Sequence, residues 1–145
     1  MANYRDIGIA DATFIAGVDF STSQYQFVRC GSVAGEVVLA NGNGASGNGP
    51  IGVIQNNPCP GQEARVRILG FTKLVCEMTS TCNLLWGRWI VSGSDGQGEP
   101  LATEGGSPAF ARYMDTTASL VTSGSVVAQV LLTGFAAACA TGSAT

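Results

Sequence analysis

One segment of this chain occurs twice, and that repetition constrains the fold more than any other feature. Residues Ile51 to Lys73 read IGVIQNNPCPGQEARVRILGFTK, and Phe110 to Ala136 read FARYMDTTASLVTSGSVVAQVLLTGFA. Each copy has a short apolar run, a polar stretch, a turn glycine, a strand-like run and a closing Gly-Phe pair. The turn glycines are Gly61 and Gly124, and the closing pairs are Gly70-Phe71 and Gly134-Phe135. Recurrence of this kind marks a supersecondary unit used more than once. Extended upstream, GEVVLANG (Gly35 to Gly42) aligns with GRWIVSGS (Gly87 to Ser94), IGVI (Ile51 to Ile54) with ARYM (Ala111 to Met114), and GQEARVRILGF with GSVVAQVLLTGF. The repeat then spans about 27–75 and 84–136, inside a single β domain over 25–136. Residues 1–24 are expected as an N-terminal arm, extended or a strand with loops, and 137–145 as a flexible tail.

Apolar alternation predicts strands at Tyr25 to Cys30, Glu36 to Ala40, Ile51 to Gln55, Ala64 to Leu69, Phe71 to Glu77, Trp86 to Ser92, Ala109 to Met114 and Ser125 to Thr133. Ala64, Val66 and Ile68 share one face and Arg65 and Arg67 the other, because successive strand residues alternate. The strand from Ser125 is apolar on both faces, as expected of a central or partner-covered strand. Asn41 to Gly49, Asn56 to Gly61 and Ser92 to Pro100 are rich in Gly, Asn and Pro and read as turns. One short helix is expected near Glu77 to Leu85. Many short strands separated by turns predict an all-β small barrel or sandwich built from two similar β units.

At 145 residues the chain can bury a core without disulfides or metal. Charged residues make up 12% of it, about half the usual ~25%, so part of the surface is expected against neighbouring subunits. The net charge is −3, and Lys73 is the single lysine among seven basic residues. Nucleic-acid binding needs a clustered basic patch, which is lacking here. The N-terminus has no basic start followed by a long apolar run, and no apolar run nears the ~20 residues of a membrane span. Synthesis in a host cytoplasm and no membrane partner are the expectation, with the five cysteines as free thiols. If any pair bridges, Cys76 and Cys82 are the choice.

The chain has no histidine, which removes Ser-His-Asp and Cys-His arrangements and the commonest metal ligand. The carboxylates are scattered, with no pair spaced for acid/base work. GNGASGNG lacks the Gly-Lys-Ser/Thr ending of a phosphate loop, and Asp95-Gly-Gln97-Gly-Glu99 lacks the remaining ligands of a calcium loop. No catalytic role, cofactor or metal is expected. Trp86 and Trp89 stand at odd spacing, so they are expected on opposite faces. An exposed Trp beside Arg88 would make an interface anchor.

The runs DFSTSQYQFV (Asp19 to Val28), GEVVLA (Gly35 to Ala40) and IGVIQNNPCPGQEARVRILGFTKL (Ile51 to Leu74) resemble the small head-decoration (capsid cement) proteins of tailed bacteriophages. GRWIVSGSDGQG (Gly87 to Gly98), followed by a strand ending in LLTGF, is similar to the same group. The resemblance covers roughly residues 18–136. The cysteines of Asn57-Pro58-Cys59-Pro60 and of Cys76 to Cys82 depart from it. It implies a β-barrel-type virion protein on the capsid exterior, bound to the major capsid protein as a homotrimer that stabilises the shell. Tyr4, Arg5 and Phe14 of the arm, with Arg65, Arg67, Arg88 and Trp89, are the expected contacts with shell or neighbour. The competing readings are a tail-tube or head-completion subunit, and a carbohydrate-binding module using Trp86 or Trp89.

Overall fold

The computed structural model describes residues 8–42, 49–78, 86–101, 108–115 and 124–138. These residues hold nine strands: β1 (Gly8–Ala16), β2 (Phe27–Cys30), β3 (Glu36–Leu39), β4 (Gly52–Ile54), β5 (Glu63–Met78), β6 (Trp89–Ser92), β7 (Gly98–Pro100), β8 (Pro108–Tyr113) and β9 (Gly124–Ala138). The expected all-β class holds, and no helix occurs among the described residues.

Strand pairing closes two five-membered rings that share β5. The first runs β1, β3, β2, β4 and the N-terminal half of β5, which returns to β1. The second runs from the C-terminal half of β5 through β7, β6, β8 and β9 back to β5. Closure removes the open edges that a sheet would otherwise expose. Gly70, at φ 107°, stands where β5 passes from one ring to the other.

The two rings have the same topology. β1 corresponds to the second half of β5, β2 to β6, β3 to β7, β4 to β8, and the first half of β5 to β9. Each ring has one parallel contact at the same place, β1 with β3 and β5 with β7. Backbone hydrogen bonds repeat as well. Gly31 N donates to Glu36 O at 2.8 Å, as Gly93 N does to Gln97 O at 2.8 Å. Ala40 N donates to Phe27 O at 2.9 Å, as Leu101 N does to Trp89 O at 2.9 Å. Tyr25 N reaches Ile54 O at 2.9 Å, as Gly87 N reaches Tyr113 O at 2.8 Å. Tyr25 has φ 64° at the place where the second unit puts Gly87 at 76°. A left-handed tyrosine is strained, and the position keeps it because the turn geometry is shared.

The two units thus share strand order and hydrogen-bond pattern, in a register that differs from the expected one. The counterpart of Trp89–Ser92 is Phe27–Cys30, and that of Glu36–Leu39 is the short β7. Ile51 to Ile54 matches Phe110 to Tyr113, one residue earlier than expected. The closing glycines do match: Ala64 opposes Phe14 as Ala128 opposes Leu74, which aligns Gly70-Phe71 with Gly134-Phe135. The slip arises because β7 is three residues containing Gly and Pro and reads as loop. Residues 8–16 of the expected arm are strand β1, and residues 137–138 of the expected tail belong to β9. β5 runs through Met78, so Glu77 and Met78 are strand rather than helix, and 79–85 lie outside the described residues.

Each ring fills its own interior. Ala16, Val28, Val37, Ile54, Ala64 and Val66 form the first core with Phe20. Cys76, Ile90, Tyr113, Ala128 and Val130 occupy the corresponding places in the second, with Gly98 where the first has Val37. Phe27, Ala40 and Val53 belong to the first ring but pack with the second core. Phe27 meets Phe110 edge-on at 6.2 Å between centroids, a favoured aromatic arrangement. Buried Gln55 donates to Thr72 Oγ1 and to Val53 O, both at 2.9 Å, so the Gln55 amide and the Thr72 hydroxyl are paired at this junction.

Candidate interaction surface

The residues expected at a contact surface fall in separate places. Tyr4 and Arg5 lie outside the described residues. Phe14 is half-buried and packs against the first core, so its ring is held within the chain. Arg65 is exposed on the outer face of β5 opposite Thr13. Arg67 shares that face but is engaged internally. Its Nε and Nη2 donate to the Asp11 carboxylate at 2.8 and 3.1 Å, and Nη1 donates to Phe71 O at 3.0 Å. The Arg67 hydrogen bond holds the Asp11 carboxyl below its usual range. The charges of Arg67 and Arg65 act in the same direction, and partial burial opposes them. A fork-shaped guanidinium on a carboxylate is a geometrically specific clamp, so this pair pins β1 to β5.

The second unit presents a different surface. Arg88 Nε donates to Leu101 O at 3.1 Å, which fixes the start of β6. Trp89 follows on β6 and is half-buried. Its cross-strand partner is Arg112 of β8, whose guanidinium carbon lies 4.0 Å from the centre of the Trp89 ring. That contact is a cation–π pair, worth about 0.5–1 kcal/mol where exposed. Leu131 of β9 pairs with Arg112, and Phe71 of β5 pairs with Leu131. The outer face of this ring therefore carries the row Trp89, Arg112, Leu131, Phe71. Trp86 stands exposed at the turn before β6 instead of on the strand.

Arg112 was not singled out in the sequence. The alternation Ala111-Arg112-Tyr113 places it outward, but its position over Trp89 depends on the β6–β8 register. Val127, Gln129 and Leu131 do face outward on β9, with Val127 well exposed.

Burial raises the Glu99 carboxyl, with Glu77 and Asp95 adding to the effect. Asp95 accepts from the backbone N and side chain of Gln97, which closes the β6–β7 turn as expected of a hairpin. Among the described residues no group of three or more His, Cys, Asp or Glu side chains could hold a metal.

Cys76 corrects the expected choice of disulfide. It is a free thiol inside the second core, and burial pushes its pKa to about 12. Cys30 and Cys59 are free and exposed. Since thiolates are the reactive form, mildly alkaline labelling of the folded protein should modify Cys30 and Cys59 rapidly. Cys76 should react only after denaturation, as read by mass spectrometry of the separated peptides.

No protein-family model and no curated protein matches the sequence. Among solved structures, the chain is similar to the N base of head fiber gp8.5 in bacteriophage phi29, with a TM-score of 0.58 and 13% sequence identity. The match covers 88% of this chain and 96% of that one, so the likeness takes in both rings rather than a single hairpin, and what it shows is a shared fold.

Proposed function

We propose that the chain is a structural protein of a phage virion, bound to the outside of the head as a decoration or cement subunit. The observation that carries this reading is the fold likeness to a phage head-fiber base across nearly the whole of both chains. The glycine and apolar patterns that resemble head-decoration proteins point the same way. The chemistry is in keeping, because a chain without histidine that spends its surface on apolar and Trp–Arg contacts is suited to binding and not to turnover. In this reading the partners are the major capsid protein and further copies of the chain, arranged as trimers. Several weak contacts per trimer, repeated over a shell, give firm attachment without one high-affinity site. A sugar-binding role has less to support it, because Arg112 already covers one face of the Trp89 ring.

The test is to mix purified protein with expanded heads that lack it. Co-sedimentation, density on the outer surface by electron microscopy and a higher temperature of shell disruption are the expected results. Protein that stays in the supernatant, or that assembles into six-membered rings or tubes, would overturn the proposal.

A further inference from the structure

We propose that copies of this chain associate head to tail, with the Ile15–Val33 edge of one copy seated on the Trp86–Trp89–Arg112 face of the next. The chain itself supplies the template, because its second unit already sits on its first in this manner. At that internal junction Val75 N donates to Tyr25 O at 2.8 Å, Phe27 N to Gly96 O at 2.7 Å, and Gly42 N to Gly93 O at 2.8 Å. The Phe110 ring closes over Phe27. The receiving positions are thus Tyr25, Phe27 and Val53. The inserting positions are Val75, Gly93, Gly96 and Phe110.

Strand correspondence places the same two sets once more on the molecule. In the second unit the receiving positions are Gly87, Trp89 and Arg112. In the first unit the inserting positions are Ile15, Gly31, Gly35 and Ile51. Both sets are open. A Cβ built at Gly96 would meet Phe27 O at 2.8 Å, whereas one at Gly35 would meet nothing within 4 Å. Phe27 and Val53 are fully buried, whereas Trp89 is half-buried and Arg112 exposed. Of the four large apolar side chains exposed among the described residues, three lie on these surfaces: Ile15 at 44%, Val33 at 57% and Trp86 at 54%.

Charge identifies the occupant as a second copy. Ile15 has Glu36 and Glu63 as its cross-strand partners, so the inserting edge is apolar with carboxylates on both sides. The receiving face is aromatic with Arg112 over Trp89. Aromatic residues and arginine are the side chains enriched at the centres of interfaces, and complementary charge fixes orientation. Because two different faces meet, the contact is heterologous and either closes into a ring or continues as a filament. Closure after three copies gives the trimer proposed above. The inference deepens that expectation of self-association, and it does not depend on shell binding.

Sedimentation velocity and light scattering over a wide concentration range test it, using wild type, Arg112→Glu, the pair Glu36→Arg with Glu63→Arg, and all three substitutions in one chain. Arg112 and Glu63 are exposed and Glu36 is half-buried, and circular dichroism with thermal melting verifies each fold. Wild type should self-associate. Arg112→Glu and the Glu pair should each raise the half-assembly concentration at least about tenfold, in line with the loss of a charge partner at an interface. The triple variant should recover assembly, because its charges are complementary again. A wild type that stays monomeric at millimolar concentration would overturn the inference. So would assembly that the single-sided variants leave unchanged, or shell binding that is lost in Arg112→Glu while self-association stays intact. Wild type that assembles as described but ignores expanded heads would leave this contact standing and remove the virion reading.

Discussion

Phe27→Ala should lower the stability of the monomer by about 3–5 kcal/mol, the range for truncating a buried phenylalanine. The ring is fully buried and belongs to a strand of the first unit, yet it packs in the core of the second. It holds Phe110 edge-on, and its backbone N is tied to Gly96 O across the junction. Removing it leaves a void between two rings that β5 fixes relative to each other, so collapse of the cavity is limited. At this chain length about 2–4 °C is lost per kcal/mol, so the melting temperature should fall by on the order of 10 °C. The internal control is Trp89→Ala, the same structural position one unit later. Below the concentration of self-association it should cost only about 1 kcal/mol, mostly the cation–π contact and partial burial. Urea unfolding followed by circular dichroism compares the two. Equal losses would show that Phe27 does not join the units as described.

The contrast between Phe27 and Trp89 also marks where sequence reading stops. Alternation identified the strands because burial of one face leaves a period of two in the side chains, as with Ala64, Val66 and Ile68 against Arg65 and Arg67. The recurrence was legible because Gly70-Phe71 and Gly134-Phe135 occupy matching positions on β5 and β9. Its register was not, since β7 is the counterpart of β3 but has Gly98 and Pro100 where β3 has an apolar run. The closing role of β1 was likewise out of reach. Its partners on β5 are 48 to 62 residues away, and local pattern has no access to such pairings. At the candidate surface Trp89 was named as a candidate anchor from its chemistry alone. Arg67 was chosen on its chemistry too, but Asp11 already holds its guanidinium. Arg112 went unnoticed because only the β6–β8 register brings it over an aromatic ring. Residue type announces what a side chain can bind, and tertiary pairing decides whether it is already bound.

Gly98→Val should destabilise the chain by about 1–3 kcal/mol, the usual effect of overpacking, and Cys76→Ala with Ile90→Val should recover much of the loss. A Cβ at Gly98 would lie 2.7 Å from Leu74 Cδ2, 2.8 Å from Ile90 Cγ2 and 3.1 Å from Cys76 Sγ. The first unit solves the same packing problem differently. It has Val37 at the Gly98 position, with Ala16 and Val28 where the second has Cys76 and Ile90. Volume is thus moved from the β3 position of one ring to its neighbours in the other. Cys76→Ala with Ile90→Val alone should also destabilise, because it empties space that Gly98 cannot fill; the Ile→Val step by itself is worth about 0.5–1.5 kcal/mol. If the rings are equivalent, the three substitutions together transplant the first core's solution into the second. Their combined effect must then be smaller than the sum of the parts, by about 0.5–3 kcal/mol for residues in contact. Leu74 still differs from its counterpart Phe14, so recovery should be incomplete. Denaturant unfolding of the single, double and triple variants measures the coupling. Additive losses would mean that the shared topology does not extend to shared core packing, and that the two units merely repeat their hydrogen bonds.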